Sequence, residues 1–219
     1  MDVTNRFVLD FAKRAGGRIL DYGCGAGAVV HAGRAAGLDI HGADVYYGGS
    51  NARAEAERAD LLGDAIREIR DGRIPFDEEF FDVVVNNQVM EHVEDLDAAL
   101  AEIDRVLKPG GVVLSIFPSR DVFREGHIGI PFSHWFAKNS TTRFYYIRAL
   151  RSLGLGTWKE QAPTARQWAL DKLAWIDRYT CYRNRHEIQR SYDRHFRSEF
   201  RESDYIRYRL RDKRWRAPL

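Results

Sequence analysis

Cysteine is scarce in this chain: Cys24 and Cys181 are the only two among 219 residues. Two cysteines make no disulfide framework, and the expected setting is a reducing cytoplasm. Long hydrophobic runs are missing as well. None approaches the roughly 18 apolar residues of a membrane span. The opening stretch MDVTNRFVLDFAKRAGG lacks the apolar core and small-residue cleavage site of a secretory leader. It reads instead as an amphipathic helix capped by Thr4, with Phe7, Leu9 and Phe11 near its buried side. There is no internal repeat and no low-complexity tract. No Gly-Lys-Ser/Thr follows a glycine-rich stretch, which excludes a phosphate-gripping P-loop.

What is present suffices for a folded core. Hydrophobic residues make up 44% and charged residues 30%, as in an ordinary globular domain. The net charge of +2 conceals an asymmetry: residues 159–219 hold 16 Lys and Arg against 9 Asp and Glu, and residues 1–158 hold 18 against 23.

The first half alternates strand and helix. GRILDY, LDIHGADV, FFDVVVNN and VVLSIFP read as strands, the last two buried on both faces. AVVHAGRAAG, SNARAEAERADLLGDAIREI and DLDAALAEIDRVLKPGG read as helices; Pro109-Gly110-Gly111 stops the last of them. This rhythm predicts an α/β fold: a doubly wound, mostly parallel, Rossmann-like sheet of about seven strands with flanking helices. The rhythm breaks after Pro118. Residues 119–142 are expected to be a lid over an acceptor, and residues 163–200 a helical insertion or cap within one domain spanning 1–219. YIRYRLR alternates strictly, Ile206, Tyr208 and Leu210 against Arg207, Arg209 and Arg211, which predicts a final strand pairing with TWKEQ.

The stretch RILDYGCGAG holds three glycines between the first strand and the first helix of the sheet, where α/β folds bind ligands. The spacing Gly23-x-Gly25-x-x-Ala28 fits a dinucleotide loop, and Asp44, at the end of the second strand, suits ribose hydroxyls. Together they indicate an adenosine-bearing ligand without choosing which. Asp21 bears on the choice: a carboxylate here repels a pyrophosphate and suits a cationic, zwitterionic ligand. No Tyr-x-x-x-Lys pair supports an NAD-dependent oxidoreductase.

With IPFDEEFFDVVV, MEHVEDL and DRVLKPGGVVLSI following in order, the region from Gly17 to Pro118 resembles the class I S-adenosylmethionine (SAM)-dependent methyltransferases, especially the ubiquinone-biosynthesis-like branch. The resemblance implies SAM as cofactor and S-adenosylhomocysteine as product. It implies that Gly23, Cys24, Gly25 and Gly27 line the methionine part, with Asp21 near its amino group. Asp44 would hold the ribose and Val45 would lie against the adenine. Asp71 is the choice for the adenine amino group, with Asp64 as rival. Asn86, Asn87 and Gln88 would lie beneath the reactive methyl. Cys24 reads as a small residue beside SAM and not as a nucleophile.

The acceptor is expected at EGHIGIPFSHWF. His127 and His134 are the candidate general bases, with Glu125 orienting. Arg120, Arg124 and Arg143 are available for an anionic acceptor, and Phe132, Trp135 and Phe136 for an apolar wall. Glu91-His92 looks like a metal pair, but neighbours on a helix point apart, so no metal is expected. The expected acceptor is a small molecule or glycan hydroxyl. The alternatives are an RNA methyltransferase using the basic, aromatic tail, or a SAM-fold module without catalysis. The C-terminal helical region is a candidate homodimer surface; the ending KRWRAPL leaves open whether the natural chain continues.

Overall fold

In the computed structural model, residues 1–48 and 50–211 are described. Five strands form one wholly parallel sheet: β1 (Ile19–Tyr22), β2 (Ile40–Asp44), β3 (Ile66–Glu68), β4 (Phe81–Asn87) and β5 (Leu107–Ile116). Their order is β3-β2-β1-β4-β5. Five strands among the described residues stand where the sequence suggested about seven. The chain folds as two units. Unit 1 takes residues 1–90, 95–117 and 191 onward; unit 2 takes 91–94 and 118–190. The lines expected from sequence, 1–118, 119–142 and 163–200, run differently. No helix among the described residues is long and apolar enough to cross a membrane.

Unit 1 follows from apolar strands bracketed by amphipathic helices. All four residues of β1 are buried, as the central strand of a parallel sheet requires. Ile19 pairs with Ile40 on one side and Val83 on the other. α1 (Val3–Ala15) lays Val8 and Ala12, and α2 (Ala28–Ala35) lays Val29, against Ile19, Ile40, Val83 and Val85. Each fully buried side chain of this size contributes about 1.5–3 kcal/mol. α1 is capped by Asp2, whose carboxylate accepts from the Asn5 amide, and not by Thr4. Thr4 instead hydrogen-bonds the Tyr205 hydroxyl at 2.6 Å.

Several sequence expectations are corrected in unit 1. α3 covers only Ala52–Arg58, and the IRE of the supposed long helix is β3. α4 (Leu96–Val106) ends before Pro109-Gly110-Gly111, which lie inside β5. β5 is an edge strand, mostly half-exposed and not buried. YIRYRLR belongs to a helix, α8 (Glu202–Arg211), not a strand. Tyr205 and Tyr208, three residues apart, both meet the Phe7 ring edge-on, and Tyr208 donates to Asp10 at 2.5 Å. Acids sit in the first turn of α8 and arginines in the last, as the helix dipole favours. Helical tertiary contacts thus override the alternation, and Ile206 and Leu210 stay exposed.

Unit 2 is built on α5 (Thr141–Ser152) and α6 (Ala165–Tyr179), which close on Ile128, Ile130, Ile147, Trp168 and Ile176. The Trp168 ring is fully buried, and its N–H donates to the carbonyls of Thr157 and Trp158. TWKEQ forms a turn and a short 3-10 helix over Lys159–Gln161, so the strand partner expected for YIRYRLR does not exist. α7 (Arg185–Tyr192) carries the chain from unit 2 back into unit 1.

Candidate functional site

Two groups of side chains are candidates for the chemistry, one in each unit. In unit 1 the loop after β1 is tied to the end of β2. The Gly23 and Cys24 amides donate to the Ala43 carbonyl, and the Gly25 amide donates to Asp44 Oδ2 at 2.8 Å. Asp44 Oδ1 accepts from the Tyr46 amide at 2.8 Å. Two backbone bonds therefore fix the carboxylate and leave a lone pair on each oxygen for a ligand. Gly25 has φ +54°, and a Cβ added there would meet nothing within 4 Å, so the loop presents bare backbone to open space. Gly23 is the opposite case: at φ +74°, an added Cβ would lie 2.4 Å from Val89. Gly27, at φ +81°, caps α2.

Asp21 sits at the end of β1 and is only 3% exposed. Burial first, then the neighbouring Asp44 charge, pushes its pKa from 3.8 up to about 7. A buried carboxyl in this state is suited to a cationic ligand group. Cys24 is pushed well above its ordinary range by burial and by the charges of Asp21 and Asp44. It stays a thiol, which disfavours nucleophilic chemistry.

At the end of β4, Asn86 is fully buried. Its Nδ2 donates to Ser115 Oγ, and its Oδ1 has no partner. Asn87 donates to Asn5 and likewise keeps a buried, unpartnered Oδ1. Buried acceptors of this kind are ordinarily satisfied, here by a donor from water or from a ligand. Gln88 is exposed with φ +58°, and Val45 is 55% exposed. Asp71 lies in an exposed turn bracketed by the Arg70–Arg73 bridge, and the rival Asp64 is exposed and paired with Arg34. The acid level with Asp44 at the end of β3 is Glu68, which pairs with Arg53 and Arg70. Reading IREI as helix concealed it.

In unit 2 the His127 ring is central. Its Nδ1 donates to Glu125 Oε1 at 2.7 Å, with the Tyr182 hydroxyl at 3.0 Å. Tyr182 donates to the same Glu125 oxygen, and the Ile128 amide to the other. Burial works against the Glu125 charge, but the bonds from His127, Tyr182 and Ile128 outweigh it and bring the pKa down to about 2. Tyr182 is pushed above its ordinary range by burial and by Glu125. His134, the second histidine, is buried; its Nε2 donates to the Arg120 carbonyl at 3.1 Å and its Nδ1 has no partner. Burial lowers its pKa. Arg143 is committed to an ion pair with Asp177. Arg120 donates to the Trp135 carbonyl.

Glu91 and His92 are not on a helix. They lie in a turn that three bonds hold to the 179–183 segment. The Cys181 amide donates to the Glu91 carbonyl, His92 Nδ1 to the Tyr179 carbonyl, and Arg183 to the Glu94 carbonyl, each at 2.6 Å. The expectation that this pair diverges is therefore corrected, because the helical geometry it assumed is absent. One ligand-type atom each from Glu91, His92 and His127 lie within 4.8 Å of one another. Glu91 is 1% exposed and neither carboxylate oxygen has a partner. Burial pushes its pKa up to about 7.

A parallel sheet with a glycine loop after β1 and an acid at the end of β2 defines a domain of the nucleotide-cofactor-binding class. Comparison with known proteins specifies it. Residues 20–115 match the family model described as Methyltransferase domain. A Mycolicibacterium smegmatis protein named as a probable S-adenosylmethionine-dependent methyltransferase is 37% identical over 52% of this chain and 44% of its own. The ubiquinone biosynthesis O-methyltransferase of Maricaulis maris is 32% identical over 59% and 52%. The crystal structure of an S-adenosylmethionine-dependent methyltransferase from Mesorhizobium loti superposes with a TM-score of 0.54, at 17% identity, covering 88% of this chain and 80% of that one, and shows the shared fold. Over residues 20–115 the chain is similar to methyltransferase domains, among them S-adenosylmethionine-dependent ones. It spans about half the length of the curated relatives it matches.

Proposed function

We propose that this protein is a methyltransferase that moves the methyl group of SAM to a hydroxyl oxygen of a small-molecule or glycan acceptor. SAM supplies a methyl group on a positively charged sulfur, so the protein's task is to hold, align and desolvate. Asp21 would face the amino group, and Asp44 the ribose hydroxyls through the lone pairs its two backbone bonds leave free. The amides of Gly23, Cys24, Gly25 and Gly27 would lie along the methionine portion. Asn86, Asn87 and Gln88 would line the floor, and Val45 would meet the adenine. Asp71 is the proposed partner of the adenine amino group, although its turn is exposed.

The observation that carries the hydroxyl reading is the Glu125–His127 pair. A hydroxyl must lose its proton as its oxygen is alkylated. His127 holds Nδ1–H against Glu125, which leaves the Nε2 lone pair for that proton. Glu125, anionic far below neutrality, stabilises the imidazolium that results. His134, with Nε2 already bonded to a backbone carbonyl, would position the segment and is the lesser candidate for the base.

The test is transfer of labelled methyl from SAM across a panel of hydroxylic acceptors, with RNA as a further arm. The reading expects labelled product from an alcohol, phenol or sugar acceptor. It expects His127→Ala to lose about 10²–10⁴ in turnover, the usual worth of a positioned base, with SAM affinity unchanged. Methylation confined to RNA, or an undiminished His127→Ala enzyme, would overturn it.

A further inference from the structure

Glu91 presents a problem of physical chemistry that methyl transfer does not solve. It is a buried carboxyl whose two oxygens have no hydrogen-bond partner. Burying an uncompensated carboxylate costs several kcal/mol, and native structures very rarely leave one so. Around it stand two imidazoles, each with one nitrogen already assigned. His92 gives Nδ1–H to the Tyr179 carbonyl at 2.6 Å, and His127 gives Nδ1–H to Glu125 at 2.7 Å. In the neutral ring, each assignment places the proton on Nδ1 and leaves the lone pair on Nε2. A backbone carbonyl behind one imidazole and a carboxylate behind the other is the outer-shell arrangement that orients metal-ligating histidines and raises their basicity.

We propose that Glu91, His92 and His127 bind one divalent transition-metal ion of the zinc or cobalt type. The three groups already converge to within 4.8 Å of one another, and side-chain movements of about 1 Å would bring them to the separations of about 3–4 Å that a shared ion with bond lengths near 2 Å requires. Two imidazoles and one carboxylate suit zinc, cobalt or iron, and disfavour magnesium and calcium, which prefer all-oxygen shells. A set of three protein ligands leaves a coordination position open for an oxygen ligand. Glu125 and Tyr182 serve as the layer behind His127. All five residues belong to unit 2, so the site depends on no arrangement between the units. It does not rest on the methyl-transfer reading, but it draws on the same His127 Nε2. With the ion bound, His127 acts as a ligand and its Nε2 no longer takes a proton, so the base role belongs to the metal-free protein.

The test is equilibrium dialysis of the full chain, stripped with a chelator, against Zn²⁺, Co²⁺ and Mg²⁺ separately, with visible absorption recorded for the cobalt form. The proposal expects one equivalent of Zn²⁺ or Co²⁺, d–d bands characteristic of a low-coordinate mixed nitrogen and oxygen site, and no stoichiometric Mg²⁺. Glu91→Gln and His127→Ala should abolish stoichiometric binding, and Glu125→Gln should weaken it by about 10–100-fold. Circular dichroism of each variant separates a lost site from a lost fold. Glu91→Gln is isosteric and neutral, so it is the variant expected to keep the fold. Failure to bind either transition ion, or binding that a folded Glu91→Gln retains, overturns the proposal. SAM affinity, measured by calorimetry on the same metal-free protein, reports separately on the methyltransferase reading.

Discussion

Replacing Asp21 by asparagine should remove a pH dependence of stability from the ligand-free protein. The wild-type carboxyl has its pKa raised from 3.8 to about 7, by burial first and by Asp44 second. Between those values the folded state holds a proton that the unfolded state has released. Stability from this group therefore falls as pH rises from about 4 to about 7, the sense required when the native state binds more protons. At 1.36 kcal/mol per pH unit, the interval corresponds to on the order of 4 kcal/mol above neutrality. A carboxamide at this position has no charge to desolvate, so the Asp21→Asn variant should lack that slope and be the more stable protein at about pH 8. Urea unfolding followed by far-UV circular dichroism, at several pH values between about 5 and 8, measures both slopes. On the proposed placement of the SAM ammonium group beside Asp21, SAM should cancel much of the wild-type slope. Binding should tighten as pH rises through about 7, with release of close to one proton. Equal slopes in wild type and Asp21→Asn would refute the argument that burial strains this carboxyl.

Other consequences follow from the same geometry. Asp44→Ala should weaken SAM binding by roughly 1.5–3 kcal/mol, the scale of lost hydrogen bonds to a charged group; unchanged calorimetric affinity would remove Asp44 from the ribose. Asp177→Ala strands the buried Arg143 guanidinium and should destabilise unit 2 by about 3–5 kcal/mol, read as a lower urea midpoint by tryptophan fluorescence. Gly23→Ala, at φ +74° with Val89 2.4 Å from the new Cβ, should reduce stability and SAM affinity together, whereas Gly25→Ala should act chiefly on SAM. Equal effects of the two substitutions on stability would contradict the open space assigned to Gly25.

The parts of the molecule legible in sequence are those where a local signal and the tertiary requirement agree. GRILDY, the glycine loop and FFDVVVNN carry apolar runs and turn residues that a buried parallel strand and a ligand-facing loop both demand. The short β3 was hidden because Ile66 and Glu68 adjoin a good helical sequence. Only pairing with Gly42 and Asp44 makes them a strand. YIRYRLR misled for the opposite reason: its alternation is real, but Tyr205 and Tyr208 find Phe7, Thr4 and Asp10, at the far end of the chain, only as a helix. At the candidate site, the placement of Asp21 and Asp44 near the ends of β1 and β2, and of Gly25 in the loop after β1, was readable from chain order. The Glu91–His92–His127 convergence was not. It depends on a turn fixed by Cys181, Tyr179 and Arg183, a non-local tie that no spacing in the sequence records.

The loop after β1, with Asp21 and Asp44, is the proposed SAM site. Titration calorimetry of the purified chain with SAM, S-adenosylhomocysteine and NADH addresses it directly. Saturable one-to-one binding of SAM and S-adenosylhomocysteine, weakened in Asp44→Ala, with no binding of NADH, is the predicted result. Binding of NADH, or of none of the three, would contradict it.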